Sequence, residues 1–187
     1  MMAEEHIAPP TGMAQRAVAA ANGTDRLVTR LCRFMVLATG LALTLILTAN
    51  VAARYAFSAG GLDAAQELPE RLFPWFIVAG VVLAAQAGGH MAVEWLFNTL
   101  GPRRGRWLLL FGNAIIVVVY VVLFRQALVL ADIAGIEKSP VLGLSGSHGY
   151  WAMALGFGLI AIVTICQSIR IATQGTAARF TIEYKEI

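Results

Sequence analysis

Four apolar stretches without a single charged residue divide the chain: Phe34 to Ala53, Leu72 to Gly89, Trp107 to Phe124 and Tyr150 to Ile169. They are 20, 18, 18 and 20 residues long. A helix rises 1.5 Å per residue, and about 20 residues cross roughly 30 Å of hydrocarbon, so each stretch predicts a membrane-spanning helix. A helix of this length in a soluble bundle would carry charge on its outward face, and none of the four does. The pattern predicts an all-α integral membrane protein. A tail over 1–33 with a short amphipathic helix precedes a four-helix membrane domain over 34–169, and a second tail covers 170–187. Composition agrees, with 58% hydrophobic and 13% charged residues and a mean hydropathy of +0.71.

Charge adds orientation. Lys and Arg accumulate on the cytoplasmic flanks of membrane helices. Ten of the 14 basic residues fall in three segments: Arg16, Arg26, Arg30 and Arg33 before the first stretch, Arg103, Arg104 and Arg106 in the middle connection, and Arg170, Arg179 and Lys185 after the fourth. The other two connections hold Arg54 and Arg71, then Arg125 and Lys138. Both termini and the middle connection are therefore expected in the cytoplasm, with Arg30, Arg33, Arg103, Arg104 and Arg106 meeting lipid headgroups. The first stretch is expected to be an uncleaved anchor. The net charge of +3 expresses this topology, and no basic run is interleaved with aromatics as nucleic-acid binding would require.

The connections carry weaker helical patterns. From Thr24, with Thr24 or Asp25 as N-cap, Arg26, Arg30 and Arg33 lie beside Leu27, Leu31 and Phe34, as in a helix along headgroups. Leu62, Ala65, Leu68 and Leu72 repeat at helical spacing against Asp63, Gln66, Glu67 and Glu70, which predicts an interfacial helix before Pro74 and Trp75. Gly88 to Leu100 predicts another, ended by Gly101-Pro102.

Candidate chemistry is sparse. An Asp, Glu, Lys, Arg or His within a span marks an ion path or a catalytic centre, and the four stretches contain none. Asn113 and Thr44 are their deepest polar groups, suited to interhelical hydrogen bonds. His6, His90 and His148 lie outside the stretches, which excludes haem held between helices. His90 and Glu94, four residues apart, form a local pair short of a metal site, and His148 near Ser145 and Ser147 lacks the rest of a catalytic set. Cys32 and Cys166 are expected as small buried residues. No cofactor, metal or enzymatic activity is expected. Small residues recur at four-residue spacing: Ala38 and Ala42, Ala49 and Ala53, Gly80 and Ala84, Ala152 and Gly156, Ala154 and Gly158. Such positions let helices approach closely, either within the chain or against another membrane protein.

One set of residues runs in order through the connections. Asn50-Val51, Arg54-Tyr55 and Phe57 close the first stretch; Glu67-Leu68, Leu72-Phe73 and Trp75 enter the second. Gly89-His90 and Val93-Glu94 follow it, and Ser139-Pro140, Leu142-Gly143 and Tyr150 lead into the fourth. This set, over about Leu43 to Gly156, resembles the small membrane subunit, of the DctQ type, in tripartite ATP-independent periplasmic (TRAP) transporters. Ala64 and Gln66 depart from the family's Trp and acidic pair, and Glu94 stands where an Asp is usual. The resemblance implies a bacterial inner-membrane protein working with two partners. A periplasmic binding protein of the DctP type delivers an organic acid such as a dicarboxylate. A large subunit of the DctM type carries it inward by symport on a sodium or other ion gradient, while the small subunit braces the large one's scaffold. Asn50, Arg54, Tyr55, Glu67, Leu68, Trp75, Gly80, Gly89, His90, Glu94, Ser139, Pro140 and Gly143 are the implied interface or structural positions. The alternative is a four-helix membrane scaffold or assembly factor for another complex.

Overall fold

The computed structural model of the protein describes residues 12–56, 64–87 and 102–174. Among them lie four helices and no strand: α1 (Gly12–Ala56), α2 (Ala64–Gln86), α3 (Pro102–Ala134) and α4 (Ser147–Gln174). All four are long and apolar enough to cross a membrane.

Two expected boundaries vanish into longer helices. The segment from Thr24 is no separate helix; it continues α1, whose 45 residues reach about 68 Å. Thr24 and Asp25 lie mid-helix, and the Asp25 carboxylate is engaged by Arg170 of α4 instead of capping its own backbone. The described part of the Leu62–Leu72 pattern, from Ala64, likewise runs straight into the second apolar stretch as α2. Pro69 and Pro74 sit inside that helix, each deleting one backbone hydrogen bond without ending it. The helix expected over Gly88–Leu100 lies outside the described residues.

The last of the four helices is central. It packs against α1, α2 and α3, and α3 packs mainly on it. Val28 and Cys32 of α1, Ala79 and Val82 of α2, and Ile160 and Val163 of α4 form the core, with Tyr120 of α3 beside them. Small residues on α4 make this closeness possible: Ala152 and Ala154 are buried, and a Cβ on Gly156 would lie 2.5 Å from a Val78 methyl. Several small residues of α1 and α2 behave differently. Gly80 has nothing within 4 Å of where its Cβ would stand, and Ala38, Ala49 and Ala84 are exposed. None of the residues 34–53 is buried, with Leu41 and Leu45 about 60% exposed.

Helices α3 and α4 form an antiparallel pair in one steady register. Asn113 Nδ2 donates to Ser168 Oγ at 3.1 Å, the Tyr120 and Phe157 rings lie 5.8 Å apart, and Ser147 Oγ donates to the Ala131 carbonyl at 2.6 Å. A Cβ on Gly158 would touch the Phe124 ring at 3.5 Å. Arg125 is therefore level with the turn Ala152–Gly156, roughly 6 Å inside the stretch that begins at Tyr150. Counting along the chain assigns Arg125 to a connection; in the structure it lies within α3, beside the fourth apolar stretch. Arg170, assigned to the tail, belongs to α4 and is 6% exposed.

Candidate functional site

The α3–α4 connection, residues 135–146, is built around one carboxylate. It folds back on itself: Ser139 N donates to the Leu144 carbonyl at 2.9 Å, Gly143 N to the Ser139 carbonyl at 3.0 Å and Gly146 N to the Glu137 carbonyl at 2.8 Å. Gly143 turns the chain at φ 64°, where a Cβ is strained. The fold points three donors at Glu67 of α2. Ser139 Oγ donates to Oε2, Leu142 N donates to the same oxygen at 2.9 Å, and Val141 N donates to Oε1 at 3.0 Å. One turn later Arg71 Nη1 donates to the Ser145 carbonyl at 3.1 Å. The Ser139 hydroxyl foremost, with the two amides and Arg71, outweighs desolvation and holds the Glu67 carboxyl below the ordinary carboxylate range.

Ser145 and Ser147 start α4 and take no nucleophilic arrangement. Ser145 Oγ accepts from Ser147 N at 3.2 Å, capping the helix. Ser147 Oγ is spent on the Ala131 carbonyl, and His148 Nδ1 donates to the Ser145 carbonyl at 2.8 Å, facing no hydroxyl.

A second polar clasp lies at the opposite end of the bundle, where α1 begins and α4 finishes. Arg170 pairs with Asp25 and donates to Asn22 Oδ1 at 3.3 Å. Gln86 Nε2 donates to the Asp25 carbonyl at 3.1 Å, and Thr29 Oγ1 donates to Gln86 Oε1 at 3.0 Å. Three helices are thus tied at one level. Arg106 of α3 donates to the Ala172 carbonyl just beyond. Sequence reasoning missed this clasp, though one signal was present. Val18, Ala21, Val28 and Cys32, the buried residues of α1, follow a 3-4 spacing with Asp25 as the missing member of the stripe.

The structure brings Glu67, Ser139 and Gly143 together and leaves other implied positions apart. Arg54 and Tyr55 are exposed near the end of α1, Tyr55 at 88%; Leu68 and Trp75 are half-buried on α2, Pro140 is exposed and Gly80 faces outward. Asn50 is half-buried on α1. Gly89, His90 and Glu94 lie outside the described residues. Arg30, Arg33 and Arg104 are exposed; the Arg103 side chain is not among those described. Among the described residues, no three His, Cys, Asp or Glu side chains group to hold a metal ion.

Four apolar helices with their polar groups drawn into structural clasps define a multi-pass membrane component. The family model for tripartite ATP-independent periplasmic transporters, DctQ component, matches residues 43–174. The chain belongs to this family, which is a family of transporter components and not of enzymes. It is also similar to the uncharacterized protein y4mM of Sinorhizobium fredii (strain NBRC 101917 / NGR234), with 43% identity over 164 residues. That match covers 88% of this chain but 30% of the relative, so the chain spans less than a third of that protein's length.

Proposed function

We propose that this subunit braces the static scaffold of a large DctM-type transport subunit in the bacterial inner membrane. Both termini face the cytoplasm in this reading, and the domain limits are those of the hydropathy pattern. A DctP-type periplasmic protein supplies an organic acid, and an ion gradient such as sodium drives its uptake through the large subunit. Arg30, Arg33, Arg103, Arg104 and Arg106 meet headgroups, while the residues from Asn50 to Gly143 named above shape the outward end and the partner contacts.

The observation that carries the reading is membership of the DctQ family. Its physical support is the division of labour among small residues: those of α4 are consumed within the chain, and Gly80, Ala84, Ala38 and Ala49 present open surface to another helix. The relative's extra length also leaves room for a partner in the same polypeptide.

The test is reconstitution into liposomes of this chain alone, and then with a large TRAP subunit and a periplasmic binding protein from the same genome, under a sodium gradient. The expected result is uptake by the full set only and co-purification of the two membrane subunits. Uptake by this chain alone, or failure to associate with the large subunit, overturns the reading.

A further inference from the structure

The outward face of α3 carries a seam. Phe111, Ile115, Val118, Val122, Arg125 and Val129 follow one another at alternating spacings of four and three residues. The five apolar members are all at least half exposed, Val118 at 63% and Val122 at 53%. Alternating four-three spacing with β-branched side chains is the pattern by which one helix seats along another. It is set in the one helix that packs mainly on α4, so its far side is open.

Arg125 breaks the apolar run at a telling place. It is exposed, and among the described residues it has no hydrogen-bond or ion-pair partner. The α3–α4 register puts it beside the fourth apolar stretch, level with Ala152–Gly156. Charged side chains at such depth are paired or face protein or water, because lipid offers no compensation. A second copy of this chain is a poor occupant: in one membrane two copies stand parallel, and a symmetric α3 contact would set Arg125 against Arg125. The seam instead asks for an apolar helix bearing an acidic side chain at matching depth.

We propose that α3 docks a transmembrane helix of the large TRAP subunit through this seam, with Arg125 paired to a carboxylate on that helix. This rests on the partnership proposed above and adds a contact surface separate from the small-residue faces of α1 and α2. The seam confers register as well as adhesion, since sliding by one turn would part the two charges.

The experiment co-expresses the full chain with a large TRAP membrane subunit from the same genome. A photo-crosslinking residue is placed at Val118, Val122 or Val129, and at Leu41 of α1 for comparison. The expected result is a crosslink from the α3 positions to the large subunit. Arg125→Glu should lower co-purification at least tenfold and Arg125→Lys should largely restore it. Among the described residues Arg125 has no partner, so Arg125→Gln should leave the melting temperature of the isolated subunit unchanged. An intact wild-type complex with only lipid adducts, or adducts to a second copy, at the α3 positions overturns the seam and leaves the brace standing. An unaffected complex with Arg125→Glu does the same. Absence of any wild-type complex overturns both.

Discussion

The two ends of the bundle are tied by different physics. At one end a single carboxylate, Glu67, reads the backbone of a short connection through two amides and a hydroxyl. Its counterpart end is held by a mostly buried ion pair, Asp25 with Arg170, surrounded by Asn22, Thr29 and Gln86. The first clasp shapes a loop, whereas the second fixes the relative heights of α1, α2 and α4. One is therefore local and replaceable, and the other is bound up with the tertiary register.

The sharpest way to break the contrast is to strip one member from the buried pair. Arg170→Ala or Asp25→Ala leaves its partner unpaired and should destabilise the subunit by about 3 to 5 kcal/mol, while replacing both with apolar residues should recover most of that. Thermal unfolding in detergent measures it, and equal stability of single and double variants would refute a mutually dependent pair. Core closeness comes next. Gly156→Leu meets Val78 and should cost about 1 to 3 kcal/mol, whereas Gly80→Leu, facing open space, should leave the isolated subunit unchanged and weaken only its complex.

Changes at the loop clasp should be smaller and confined to it. Glu67→Gln keeps one acceptor oxygen of the two and loses the charge, so residues 136–146 should become more sensitive to protease while the melting temperature barely moves. Loss of cooperative unfolding in this variant would mean the clasp holds more than its loop. The mildest expectation concerns pH. Because the folded Glu67 carboxyl titrates below its ordinary value, about 4.3, its contribution is complete above that value and is lost as pH falls through the lowered one. Amide exchange in 136–146 should stay slow past the ordinary value, accelerate below it, and lose this step in Glu67→Gln.

Much of the architecture was legible beforehand. The four spans, the helical class and the family resemblance all rest on residues read in a line, and Glu67, Ser139 and Gly143 stood in the pattern as implied structural positions. The joins were harder. Thr24 and Asp25 have the side chains of an N-cap, and only the presence of Arg170 across the bundle explains why α1 runs through them. Leu62 to Trp75 has the periodicity of an interfacial helix, and that periodicity is unchanged when the residues from Ala64 onward form the first turns of α2.

Sequence alone determined that this protein lives in a membrane, because the transfer of an apolar helix into lipid depends on its own side chains and not on its neighbours. Tertiary structure decided where the charges lie and what they meet. Asp25 and Arg170 are 145 residues apart, and Arg125 ends the third apolar stretch, so each reads as a boundary when taken in order. Depth, however, is a property of the packed register: α4 aligned against α3 sets Arg125 beside the fourth apolar stretch, and the same helix against α1 draws Arg170 onto Asp25. Contacts between distant segments form through packing that no local pattern encodes, so only the assembled bundle could reveal them.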